Sequence, residues 1–226
     1  MKRKIFLDQN LANNQLLKIT DQEIISRIIK VYRLELGESL IFIGKDLFEG
    51  YYTLKERSKN KLIFEFQESI IRNLLPPKEL FFYLSFIKKE NFELILSKSF
   101  ELGVKKIIPV KTERSPWISD EVSERWLKIM YKGLEIGDWN YLPEIGLPIN
   151  LKDVPKNIYV LEKNGKPINE IIFPHSISLL IGPEGGFSNK ELEILKNKNS
   201  QFVSLGQTNL RTETVFFICA SLLNFG

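Results

Sequence analysis

The stretch "LLIGPEGGFSNKELEIL", Leu179–Leu195, decides how this chain is read. An apolar run ends in Gly-Pro-Glu-Gly-Gly, and a polar helix pattern follows. Ser188 with Glu191 three residues on forms a capping box, and Phe187 with Leu192 forms a hydrophobic staple around it. The helix is therefore expected to begin at Ser188. That makes "GPEGG" the loop between a strand and a helix. In open α/β sheets, ligands bind at that end of the strands, and glycines let the backbone approach them.

A second stretch has the same layout. "VSLGQTNLRTETVFFICASLL", Val203–Leu223, runs strand, Gly206, polar loop, helix. Its loop gathers Arg211, Thr212, Glu213 and Thr214. The helix after it is apolar nearly all round, so burial is expected, inside the domain or in a dimer interface. A glycine-rich loop alone is also read as a tight turn. Two of them favour a binding cleft.

Working outward, strands and helices alternate from about residue 80. "LFFYLSFI", "KKIIPV", "IYVLEK", "ISLLIG" and "QFVSLG" read as strands. "NFELILSKSFELG" reads as a helix ending at Gly103. "SDEVSERWLKIMYKGLEIG" reads as an amphipathic helix with an acidic first turn. The alternation predicts a mostly parallel α/β sheet. Residues 1 to about 72 look different. "SLIFIG" and "KLIFEFQES" are strand-like, and Ser58-Lys59-Asn60 reads as a hairpin turn. One helix, "DQEIISRIIKVYRL", has Asp21 as N-cap and places Ile24, Ile25, Ile28, Ile29 and Tyr32 on one face. A small barrel-like domain is expected, joined by the linker "LLPPKE".

Bulk properties narrow the chemistry. The 226 residues are 43% hydrophobic and 27% charged, as in ordinary globular proteins, with a net charge of +4 that permits an anionic partner such as RNA. The lone histidine, His175, rules out a Ser-His-Asp triad elsewhere or a His-rich metal site. No metal is expected. One cysteine, Cys219, forbids an intrachain disulfide, and a reducing, cytoplasmic setting is expected. Neither a signal peptide nor a membrane span is expected. No Walker A pattern occurs, and Phe187 and Ser188 stand where its lysine would be.

The two long motifs resemble the C-terminal signature of the ribosomal small-subunit RNA (uridine-N3) methyltransferase family, of the SPOUT class. "SKSFELGVKKIIPVKTERS" resembles that family's middle motif, and "RIIKVYRLELGESL" a segment of its N-terminal domain. The resemblance implies an α/β architecture in two domains. A small PUA-like β-barrel covers 1–72, and a SPOUT domain with a C-terminal trefoil knot covers 73–226. It implies S-adenosylmethionine (SAM) as cofactor. Carried over by position, Ile181, Gly182, Gly185 and Gly186 form one wall of its pocket. Leu205, Gly206, Asn209 and Leu210 form the other, and Leu161 and Glu162 close it. It implies transfer of a methyl group to uridine N3 in 16S rRNA near the decoding centre. A homodimer pairing through the knot and C-terminal helix is also implied.

Uridine N3 carries a proton that must be lost, so a base or a charge-stabilising cation is needed. Glu184, Arg211 and Glu213 are the candidates, and the sequence does not choose among them. Arg211 and Glu213 are equally readable as an ion pair shaping the loop. Lys4, Arg33 and Arg114 match basic family positions and are expected to touch RNA. One departure stands out. In "LEIGDWNYLPEI", Ile136 replaces an expected amide and Trp139 an expected arginine. Three readings follow: local drift with Trp139 packed, a base stacked on Trp139, or a protein that binds RNA or cofactor but methylates poorly. The last makes an RNA-binding or ribosome-assembly factor the alternative function.

Overall fold

A computed structural model describes residues 3–226. The chain divides into two units. Met1–Leu74 with Leu134–Leu142 form one, and Leu75–Gly133 with Pro143–Gly226 form the other.

The first unit holds a five-stranded mixed sheet in the order β1-β3-β4-β5-β2. Its strands are β1 (Lys4–Phe6), β2 (Leu16–Ile19), β3 (Ser39–Ile43), β4 (Glu49–Arg57) and β5 (Leu62–Ile70). β1 pairs parallel with β3, and the other pairings are antiparallel. The β4–β5 hairpin turns where the sequence indicates, with the Ser58 amide donating to Lys61 O at 2.9 Å. Helix α1 (Gln22–Ser26) continues as a π-helical turn, Arg27–Val31. The Asp21 carboxylate accepts from the Glu23 and Ile24 amides, as an N-cap should. Ile25 and Ile28 are buried, and Ile24, Ile29 and Tyr32 pack around the same core. Phe42 and Phe64 meet edge to face within it, 4.9 Å between centroids.

Leu134–Leu142 also belongs to this unit, a return of the chain that a single cut near residue 72 does not include. Buried Arg72 binds it in place, donating to Leu134 O at 3.1 Å and Trp139 O at 3.2 Å. The Asn140 amide donates to Leu74 O at 2.7 Å.

The second unit holds a seven-stranded sheet whose pairings are all parallel. Its elements are β6 (Glu79–Ser85), α2 (Lys89–Ser99), β7 (Val104–Lys111), α3 (Glu124–Tyr131), β8 (Glu144–Ile145), β9 (Ile149–Asn150), β10 (Tyr159–Pro167), β11 (Ser176–Ile181), α4 (Asn189–Asn197), β12 (Gln201–Ser204) and α5 (Thr212–Phe225). The order is β12-β10-β11-β6-β7-β8, with β9 beside β7. Two helices differ from expectation. α2 stops at Ser99, and a turn leads to Gly103 at φ +73°. α3 starts only at Glu124, because Ser123 caps it, accepting the Trp126 amide, while Asp120 pairs with Lys111.

This strand order positions the site. β11 lies on one side of β10 and β12 on the other, so the chain from β11 through α4 passes across β10. The C-terminal ends of all three strands then point the same way. Gly165 allows β10 and β12 to pair past a register shift, since a Cβ there would lie 2.4 Å from the Val203 nitrogen. The core beneath joins Phe82, Ile177 and Leu179 to Phe216, Cys219 and Ala220 of α5. Burial pushes the Cys219 thiol up to about 12. The other face of α5 exposes Leu222 and Phe225. Among the described residues, no helix is long and apolar enough to cross a membrane.

Candidate active site

The middle of β10 (Leu161–Lys163), together with the loops after β11 and β12, lines a cleft of about 260 Å³. Nine of the ten residues expected to hold a cofactor line it: Leu161, Glu162, Ile181, Gly182, Gly186, Leu205, Gly206, Asn209 and Leu210. Gly185 does not. Its carbonyl instead accepts from the Arg114 guanidinium at 2.7 Å. Gly186 sits at φ +66° with open space where a Cβ would point, so the backbone there is bare toward the cleft.

The two glycine-bearing loops are tied together. The Thr212 hydroxyl donates to Gly182 O at 3.0 Å. The capping box is complete: the Ser188 amide donates to Glu191 Oε2 at 2.8 Å, and the Glu191 amide to Ser188 Oγ at 3.2 Å. The other Glu191 oxygen accepts the Glu113 amide at 2.8 Å. Glu113 and Arg114 therefore brace the GPEGG loop from "TERS", which explains why the two motifs belong together. Buried Ser204 shapes the second loop, donating to Lys163 O at 2.8 Å.

Lys163, Thr208 and Thr212 also line the cleft. Sequence reading did not place them there. Thr212 had a signal, standing between Arg211 and Glu213. Lys163 had none beyond following Glu162; its ammonium donates to Asn209 Oδ1 at 3.0 Å.

Of the three candidates for the chemistry, only Glu184 lines the cleft. Its Oε1 accepts the Lys88 amide at 3.2 Å. Arg211 is 81% exposed and stands 4.0 Å from Glu213, at the limit of an ion pair. Such an exposed contact contributes little. Glu213 lies in the first turn of α5, where the helix dipole favours a carboxylate. Its Oε2 is buried without a hydrogen-bond partner among the described residues.

Residues 75–224 match the family described as RNA methyltransferase domain. The ribosomal RNA small subunit methyltransferase E of Aquifex aeolicus is 31% identical, over 87% of this chain and 90% of its own length. The chain belongs to this family. A Legionella pneumophila protein solved with the bound cofactor SAM is 26% identical, with a TM-score of 0.86, covering 99% of this chain and 97% of that one. The Neisseria gonorrhoeae ribosomal RNA small subunit methyltransferase E, 23% identical, shares the fold at a TM-score of 0.84 over 98% of this chain and 96% of that one.

In this methyltransferase-family chain the three basic residues expected to touch RNA divide. Arg33 is exposed, at φ +53°. The Lys4 ammonium pairs with Glu49 at 3.0 Å and with Asp138. Arg114 bonds the β11–α4 loop, at Gly185 O and Phe187 O. Trp139, at the expected arginine, is 8% exposed. Its burial supports the packed reading over a base stacked on it.

Proposed function

We propose that this protein transfers a methyl group from SAM to N3 of a uridine in 16S rRNA near the decoding centre. One observation carries the reading: the strand-end cleft that joins both glycine-bearing loops in a chain of the RNA methyltransferase family. The cleft's composition fits the cofactor. Ile181, Leu205 and Leu210 offer apolar wall to an adenine, and Glu162, Lys163 and Asn209 offer polar anchors. Bare backbone at Gly186 and Gly206 suits recognition by main-chain groups. When bound, SAM supplies an electrophilic methyl group on a sulfonium.

The chain's own residues position and deprotonate. Glu184 is the proposed proton acceptor, because it faces the cleft and the Lys88 amide fixes its carboxylate; geometry ranks before basicity in such an assignment. Arg211, exposed beside the cleft loop, is the proposed partner of the uracil oxygens or a phosphate. Glu213 is assigned to shaping that loop. Arg33 is the proposed RNA contact, while Lys4 and Arg114 act structurally.

The finer architecture is part of the proposal. The mixed sheet of the first unit serves as a PUA-like barrel, and the passage of the chain across β10 is the framework of a trefoil knot. Homodimerisation through the exposed face of α5, and a cytoplasmic setting, complete the reading. Reverse transcription of rRNA from cells lacking the protein tests it. N3 methylation blocks base pairing and halts the transcriptase, so the halt should vanish in the deletion. A halt that persists refutes the substrate.

A further inference from the structure

The first unit contains its own cleft, of about 450 Å³. Ile70, Ile71, Arg72, Asn73 and Leu74 form one side, and Glu135, Ile136 and Asp138 another, with Lys4 and Glu49 between. We propose that this cleft receives one unpaired nucleobase of the RNA, and that it selects a base carrying an exocyclic amino group. The proposal rests on the reading of RNA as substrate, and the base is not the methylated one, since uracil has no amino group.

The floor is charged but self-neutralised. Arg72 pairs with Glu49, both almost wholly buried. Lys4 bridges Glu49 and Asp138. Arg27, packed behind the lining, holds both Glu135 oxygens, at 3.1 and 2.6 Å. Three cations meet three carboxylates, leaving no surplus positive charge. A phosphate would thus find no free counter-charge here, whereas an uncharged heterocycle is not opposed.

The lips are apolar. Ile71 is 79% exposed, Leu74 53% and Ile136 52%. Apolar side chains gathered at a cleft mouth signal a ligand that covers them. An extruded base is held in this manner, its faces against apolar side chains and its edge on hydrogen bonds.

The edge chemistry sets the choice of base. Asp138 gives Lys4 its Oδ1 and remains 66% exposed, so its carboxylate is positioned to accept from an amino group. Exposed Asn73 adds an amide that both donates and accepts. Uracil offers one N–H and two carbonyls, a poorer match to a carboxylate.

The test uses the full chain and short oligouridine RNAs carrying one central adenosine, or one purine nucleotide without the amino group. By fluorescence anisotropy, the adenosine RNA should bind roughly tenfold tighter, the effect expected of a hydrogen bond to a charged group. Asp138→Ala should erase the difference, and Ile136→Asp should weaken both, without unfolding, since both positions are exposed. A 2-aminopurine at the same place should brighten on binding wild type as it unstacks, and not on binding Ile136→Asp. Equal affinity for the two RNAs overturns the proposal. So does displacement of both by an arginine-rich peptide with no dependence on the amino group, which would make the cleft a protein-docking site. Methyl transfer is followed in parallel. Transfer without base selection sinks the cleft alone, and base selection without transfer sinks the methyltransferase reading alone.

Discussion

The two clefts of this protein are built from opposite materials. The one in the second unit is made of strand ends and loops, with bare backbone at its glycines and only Glu162, Lys163 and Glu184 as charged lining. The one in the first unit rests on interlocked ion pairs among Lys4, Glu49, Arg72 and Asp138. Backbone walls need no side-chain desolvation and can present amides to many ligand groups. Buried charges must be fully paired, or each costs several kcal/mol. The strand-end cleft should therefore tolerate side-chain changes better than changes of backbone geometry, and the ion-paired cleft the reverse.

The strongest way to break that contrast is Arg72→Ala. Arg72 is 3% exposed at its side chain and holds Glu49, Leu134 O and Trp139 O together. Removing one partner of a buried pair costs about 3–5 kcal/mol. Denaturant unfolding should show that loss, and the double change Glu49→Leu with Arg72→Met should recover most of it. A loss below ~1 kcal/mol would mean the ion pairs do not hold this cleft.

The same contrast explains what could be read from the chain. The strand-end cleft was legible because its parts are local. Gly182–Gly186, Ser188 with Glu191, and Gly206–Thr212 each announce themselves within a few residues, and nine of ten expected positions converge. The paired cleft was not legible. Lys4 and Asp138 lie 134 positions apart, and Arg27 and Glu135 108 apart. Opposite charges at such separations carry no periodic signal. Lys4 and Arg114 therefore read as RNA-facing cations, although folding commits both to internal partners. Similarly, "LEIG" continues a helical pattern, and contacts from Lys4, Arg27, Arg72 and Leu74 draw Leu134–Leu142 to the first unit.

Next in size is Glu184→Gln, which tests the one charged group in the strand-end cleft given a chemical role. Methyl transfer should fall by about 10²–10⁴, the usual contribution of a positioned base, with SAM affinity by calorimetry retained. Full activity would dismiss Glu184 as proton acceptor. A matching fall in Glu213→Gln alone would move the role there.

Gly186→Val probes backbone geometry directly. At φ +66° a residue with a Cβ is strained by about 1–2 kcal/mol. The open space beside it means that no neighbour is struck, so the fold should survive. The bare backbone surface is lost, however, and SAM affinity should drop roughly tenfold or more, a change of ~1.4 kcal/mol. Unchanged affinity would show that this wall does not touch the cofactor.

The smallest effect sharpens the contrast most. Ser188→Ala removes an N-cap and should cost ~1 kcal/mol, or about 2–4 °C in Tm. The loop before it is held separately, by Arg114 on Gly185 O at 2.7 Å and by Thr212 on Gly182 O at 3.0 Å. Stability should therefore fall while SAM affinity stays. Arg114→Ala should do the converse, loosening the loop and weakening binding with little change in Tm, because its side chain bonds from an exposed position. If both variants lose affinity alike, cap and brace form one unit, and the cleft's backbone depends on side-chain pairing as much as the charged cleft does.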